Sequence, residues 1–308
     1  MGVKFSKEMI LCTDQIVPLV NQKMEMTPTQ EKLVRKLGSN AYPFTFHFPQ
    51  ASPSSVVLQQ EGYEGSKPLG IEYSIRAFVA DNEDDRQHKR SMVTLVIKKL
   101  QYAPSNRGQR LPSSVVSKGF TFSNGKISLE VTLDREIYYH GEKVGATCHI
   151  TNNSKKTVKN IKLLIVQHTE ISMLNTQFSK HVASMETKEG CPITPGANLT
   201  KCFFMVPLAS SNKDKHGVAL DGHLKDEDVN LASSTMVQEG KTMSDAIGII
   251  ISYTVRVKLN LGTLGGEIQT DVPFKLMTPA PDHYKDDDDN IVFEDFAKMR
   301  MANVHMED

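Results

Sequence analysis

The sequence carries no net charge, because its 36 lysines and arginines are matched by 36 aspartates and glutamates. A general nucleic-acid binder needs a basic face to displace counterions from phosphate, so that class is excluded and any electrostatics must be local. Cysteine is scarce. Cys12, Cys148, Cys191 and Cys202 are widely spaced and form no CxxC pair, which suggests neither a zinc site nor a disulfide framework and fits a reducing compartment. No apolar run is long enough to cross a bilayer as a helix, and no signal peptide is recognisable. The sequons at Asn152 and Asn198 are therefore expected to be chance matches.

Catalytic signatures are missing as well. The 10 histidines are scattered without metal spacing, and no HExxH, GxSxG or glycine-rich phosphate loop occurs. GTLGGE follows a β-run and opens no helix, so it reads as a hairpin turn. His140, in YYHGE, and Cys191 read as turn and surface residues. The residues point to no enzyme, metal or cofactor. MGVKFS fits the myristoylation pattern through Gly2 and Ser6, but KFSKEMILC reads as the middle of a strand, so the chain is expected to begin inside a domain.

One helix is plainly written. In TPTQEKLVRKLG, Thr27 caps, Pro28 occupies the first turn, Gln30 completes a capping box and Gly38 stops the helix. Leu33, Val34 and Leu37 share its apolar face, which is expected to lie on a sheet. Nearly everything else alternates with period two: SVVLQQ, GIEYSIRAFVA, MVTLVIKKLQYAP, KISLEVTL, KVGATCHITNN, NIKLLIVQHTEI, NLTKCFFMVPL, GIIISYTVRVKLNL and TDVPFKLM. Many short strands with turn residues between them predict antiparallel β-sandwiches. APSNRGQRLPSS gathers proline, glycine and serine where the alternation lapses. It divides a first domain, residues 1–104, from a second, 105–278. Residues 279–308 form a polar, proline-containing tail that nevertheless carries the apolar string NIVFEDF.

Charge is concentrated in ALDGHLKDEDVNLASST. Asp221, Asp226, Glu227 and Asp228 surround Lys225, with Leu220, Leu224 and Leu231 interleaved. If the leucines anchor inside, Asp221 and Asp228 are carried into a low-dielectric seam, where each needs a cation. A buried ion pair of that kind can act as a latch.

These strings resemble the arrestin family across essentially the whole chain. LDGHLKDEDVNLASST is similar to its lariat loop, DREIYYHGE and TNNSKKTVKNIK to its second-domain strands, and NIVFEDFAK to its C-terminal tail. KLGSNAYPFTFHFP, EDDRQHKR and KEGCPITPGANLTK are most like insect photoreceptor arrestins. The resemblance implies two immunoglobulin-like β-sandwiches and one short helix. It also implies a cytoplasmic protein, recruited to the membrane of photoreceptor cells, that caps an activated, phosphorylated G-protein-coupled receptor, rhodopsin in this case. The family's opening strands have no counterpart, so the first sandwich is expected to be incomplete and the chain a fragment.

By the same resemblance, Ile291, Val292 and Phe293 add to the first sandwich as an edge strand on Leu33 and Leu37, a burial worth roughly 5 to 8 kcal/mol before ordering costs. The ionic half of the latch joins Asp221 and Asp228 to Lys98 and Lys298. Lys89, Arg90 and Lys225 sense receptor phosphate. Many relatives carry arginine where Lys98 and Lys298 stand, and lysine cannot make the bidentate contact, so a looser lock and weaker phosphate dependence are expected. Phe293, Phe296 and Arg300 resemble the motif for the clathrin adaptor's β-subunit ear, and fall on one face if helical. Lys162 and Lys180 match basic positions of the family's phosphoinositide site, although Val166 stands where a relative has arginine. The alternative function is a general endocytic cargo adaptor.

Overall fold

The computed structural model describes residues 7–18, 26–49, 52–60, 69–80, 92–105, 108, 110–121, 123–222, 229–236, 248–262 and 265–280. The chain forms two compact units, one of Met1–Ser52 with Pro281–Asp308 and the other of Pro53–Ala280.

In the first unit, helix α1 (Pro28–Leu37) is built as its sequence dictates. The Thr27 hydroxyl accepts from the Gln30 amide at 3.2 Å, and Gln30 Oε1 accepts from the Thr27 amide at 2.9 Å. Gln30 Nε2 also donates to the Phe44 carbonyl at 3.0 Å, tying the helix start to the following segment. The apolar face is less covered than its pattern implies: Leu33 and Val34 are half-buried and Leu37 is 51% exposed. Residues 7–12 are not the strand expected of them. Met9, Ile10 and Leu11 are consecutive and all exposed, and a strand would send them to alternate faces rather than one.

Among the described residues, the second unit holds fourteen strands. The first four are β1 (Val56–Leu58), β2 (Gly70–Ile71), β3 (Tyr73–Phe78) and β4 (Met92–Ile97). Next come β5 (Ser113–Phe120), β6 (Ser123–Leu133), β7 (Ile137–Tyr139), β8 (Val144–Asn152) and β9 (Asn160–Ile171). The series closes with β10 (Thr176–Thr187), β11 (Asn198–Met205), β12 (Ala219–Asp221), β13 (Ile249–Asn260) and β14 (Glu267–Met277). Two large sheets, ordered β10-β9-β13-β14-β7 and β11-β8-β6-β5, form one sandwich. Its core interleaves Leu129, Val131 and Ile150 from one sheet with Leu163, Ile165, Val255 and Val257 from the other. All these residues stand on the inward face of alternating strands. GTLGGE joins β13 to its antiparallel partner β14, the hairpin its composition predicts.

Three features go beyond the pattern. β7 pairs with β14 in parallel, so the sandwich is not wholly antiparallel. β12 leaves the large sheets and pairs with β1, which in turn pairs with β2. β3 and β4 pair only with each other among the described residues, and one side of that hairpin leaves Val93 and Leu95 exposed. All four cysteines are free thiols. Asn152 is buried, with its amide donating to the carbonyls of Lys156 and Ile193, which leaves no room for a glycan.

Candidate functional site

Asp221 ends β12, opposite Val56 of β1. The pairing is continued by the Gly222 amide, which donates to the Ser55 carbonyl at 2.8 Å. On its other side, the Asp221 amide donates to the Asn230 carbonyl at 3.1 Å, and Leu220 bridges to the buried Leu231. The acidic segment is thus pinched at its stem by backbone bonds and a leucine anchor. As the interleaved leucines predict, the carboxylate at the stem is carried inside, with only 3% of Asp221 exposed.

A carboxylate so placed must be hydrogen-bonded or neutralised. The Ser233 amide donates to Oδ1 at 2.9 Å, and the Ser233 hydroxyl donates to Oδ2 at 3.2 Å. Burial pushes the Asp221 carboxyl up to about 6, while the Ser233 bonds and the positive charge of Lys98 pull it back down. Lys98 follows directly on β4, and its position is fixed from β1. The Ser55 amide donates to the Lys99 carbonyl at 2.8 Å, and the Lys99 amide donates to Ser55 Oγ at 3.0 Å. The backbone beside Lys98 and the strand that carries Asp221 are therefore both tied to residues 55–58.

His140 completes the cluster and corrects its reading as a surface residue. It does lie at a turn, following β7, but its side chain is only 9% exposed. Nε2 stands 3.1 Å from Ser233 Oγ and 3.7 Å from Asp221 Oδ2. Burial pushes the imidazole down to about 4. Ser233 Oγ also lies 3.3 Å from Thr278 Oγ1, just beyond β14. A serine, a histidine and an aspartate together invite comparison with a nucleophilic triad, but there the imidazole sits between hydroxyl and carboxylate. Here the hydroxyl sits between imidazole and carboxylate, and its proton is committed to the acid. The arrangement stabilises a charge; it does not activate a nucleophile.

β12 is held from beneath by Gln167 on β9. Its amide nitrogen donates to the Ala219 carbonyl at 2.9 Å and to the Tyr253 hydroxyl at 2.8 Å, and its oxygen accepts from the Ala219 amide at 2.8 Å. Sequence reasoning missed Gln167, Ser233 and His140. Gln167 and His140 reach the site from far along the chain, Ser233 lies 12 residues on from Asp221, and none has a local pattern to mark it.

Of the other expected site residues, Asp228, Lys225, Lys89, Arg90, Lys298, Ile291, Val292, Phe293, Phe296 and Arg300 lie outside the described residues. Lys162 and Lys180 are described, and strand register separates them. Lys162 is exposed on β9, 3.8 Å from Glu186. Lys180 pairs with the buried Gln167, on the opposite side of that sheet. Val166 is fully buried. The two lysines therefore stand on opposite faces of the sheet, because residues an odd number of steps apart leave a strand on opposite faces.

The family model "Arrestin (or S-antigen), N-terminal domain" matches residues 1–103, and "Arrestin (or S-antigen), C-terminal domain" matches residues 123–281. The chain is 74% identical to "Phosrestin-1" of Drosophila melanogaster over 332 aligned positions, covering all of this chain and 83% of that protein. It is 63% identical to "Arrestin homolog" of Locusta migratoria, over 98% of this chain and 80% of the relative. Against "Arrestin, lateral eye" of Limulus polyphemus the identity is 52%, over 91% of this chain and 69% of the relative. With two successive domain models matched and relatives this similar over nearly all of its length, the chain belongs to the arrestin family.

Proposed function

We propose that this arrestin caps light-activated, phosphorylated rhodopsin in photoreceptor cells, blocks further G-protein coupling and so ends the signal, acting as a binding protein rather than an enzyme. Residues 1–104 and 105–278 act as the two lobes and 279–308 as the tail. The observation that carries the reading is the buried Asp221 carboxylate, held by Ser233 and under the influence of the Lys98 charge. A buried carboxylate paired with a lysine is a lock that multiply charged phosphate can open by competing for the cation. Lys98 and Lys298 make a looser lock than arginines would, so capture of receptor depends only in part on its phosphorylation.

The finer partners belong to the same proposal. Phe293, Phe296 and Arg300 dock on the clathrin adaptor's β-subunit ear once the tail is released, and Lys162 contacts phosphoinositide at the membrane surface. Among the described residues, no helix is long and apolar enough to cross a membrane, so membrane association in this scheme comes by recruitment. Pull-down onto light-activated rhodopsin, with and without phosphatase treatment, tests the core of it. Wild-type protein keeps a substantial part of its signal after phosphatase, and Asp221→Asn keeps more. Loss of nearly all wild-type signal after phosphatase overturns the loose lock, and an unchanged Asp221→Asn overturns the lock itself.

A further inference from the structure

We infer that His140 is a positioning residue of the Asp221 lock, acting through the Ser233 hydroxyl as a neutral hydrogen-bond donor. The inference rests on the lock reading above and adds to it a member from a distant turn.

Proton counting carries it. Ser233 has one hydroxyl proton, and it goes to Asp221 Oδ2. The Nε2 of His140, 3.1 Å from the same oxygen, must then supply its own proton, because two acceptors facing each other across that distance would repel. Thr278 at 3.3 Å fills the remaining acceptor site of Ser233 Oγ. The imidazole is therefore the Nε2–H tautomer, and donors run in one direction, from His140 through Ser233 to the carboxylate. Such a chain polarises each bond toward the anion. It helps Ser233 hold both carboxylate oxygens of Asp221 in place. At 3.7 Å from Oδ2 the imidazole is too distant for a direct hydrogen bond, so its effect passes through Ser233. The charged and titratable groups facing this cluster among the described residues are Lys98 from the end of β4, Asp221 from β12 and Tyr253 from β13. Burial holds His140 neutral.

The relay also joins four separate segments: the turn after β7, the end of β12, residue 233 and the residue that follows β14. The Thr278 carbonyl in turn accepts from the Ala103 amide at 2.8 Å. Loosening His140 thus loosens the hold of Ser233 on Asp221.

The test uses the full chain. Nitrogen-15 NMR of histidine-labelled protein, with the His140 signals assigned by their absence from His140→Gln, is expected to show the Nε2–H tautomer at neutral pH and no protonation above about pH 5. The Nδ1–H tautomer, or an ordinary titration near 6.5, overturns the relay. In receptor pull-downs, His140→Leu is expected to raise capture of unphosphorylated relative to phosphorylated light-activated rhodopsin severalfold, up to about tenfold, the scale of one hydrogen bond. His140→Gln keeps an amide donor near the Nε2 position and is expected to stay close to wild type. If Asp221→Asn shifts the ratio and His140→Leu does not, His140 has no positioning role although the lock stands. If neither shifts it, lock and relay fall together. Should His140→Leu fail to fold, the tautomer measurement on wild-type protein still decides.

Discussion

At the scale of single residues, burial moves His140 and Asp221 in ways that oppose each other in stability. Asp221 is raised from 3.8 to about 6, so the fold binds a proton that the unfolded chain lacks between about pH 4 and 6. Stability from this group therefore falls as pH rises through that window. His140 is lowered from 6.5 to about 4, so there the unfolded chain binds the extra proton, and stability from this group rises with pH. Each arm is worth about 3 kcal/mol, and the two nearly cancel. Relative to wild type, His140→Gln is expected to gain stability as pH falls from 6.5 to 4, and Asp221→Asn to lose it, read as opposite shifts of the urea midpoint. Parallel shifts would show that the two groups do not share one buried environment. The aspartate was legible in the sequence because the acidic string around it is interleaved with leucines, of which Leu231 is buried. The histidine was not. Its partners lie at Asp221, Ser233 and Thr278, and nothing around YYHGE records that β7 ends beneath them.

At the scale of elements, local chemistry explains which were readable. The capping box of α1 is written in adjacent residues and formed as written. Because no residue of α1 is buried, Thr27→Ala is expected to cost about 1 kcal/mol that shows in faster amide exchange of the first helical turns and leaves the global melt nearly unchanged. β10 escaped notice because it is an edge strand with an exposed, polar outer side, so its alternation is faint. β12 is too short for any pattern, and tertiary pairing alone makes it a strand. Close approach there is enforced by Gly222, where an added Cβ would lie 2.5 Å from Ser55 Cβ. Gly222→Ala is expected to part β12 from β1 and destabilise the protein by roughly 2 kcal/mol, the range of an overpacked core. It is also expected to bring the Asp221 carboxyl back toward its ordinary range, which carbon-13 NMR of labelled aspartate reads. An unperturbed titration would mean that the strand pairing does not set the burial.

At the scale of the whole molecule, the interior is unevenly shared. Among the described residues, every buried one lies between Ser55 and Met277, within the unit Pro53–Ala280. A fragment of residues 53–280 is therefore expected to melt cooperatively within a few degrees of the full chain, checked by calorimetry. A drop of ten degrees or more would show that the remaining residues contribute substantially to the core. The two-sandwich class was legible from period-two alternation, since that periodicity is the direct imprint of a sheet with one face inside. Sheet order was not, because the crossing of β12 to β1 depends on contacts that no local pattern encodes. Gln167 shows what such a contact does. Its carboxamide takes the place of a missing neighbouring peptide, gripping Ala219 by both its amide and its carbonyl. A strand clamped at that end cannot slide lengthwise without stranding several polar groups in a dry interior. Whatever frees the carboxylate two residues further on must do so by swivelling about Ala219, as a gate turns on its post.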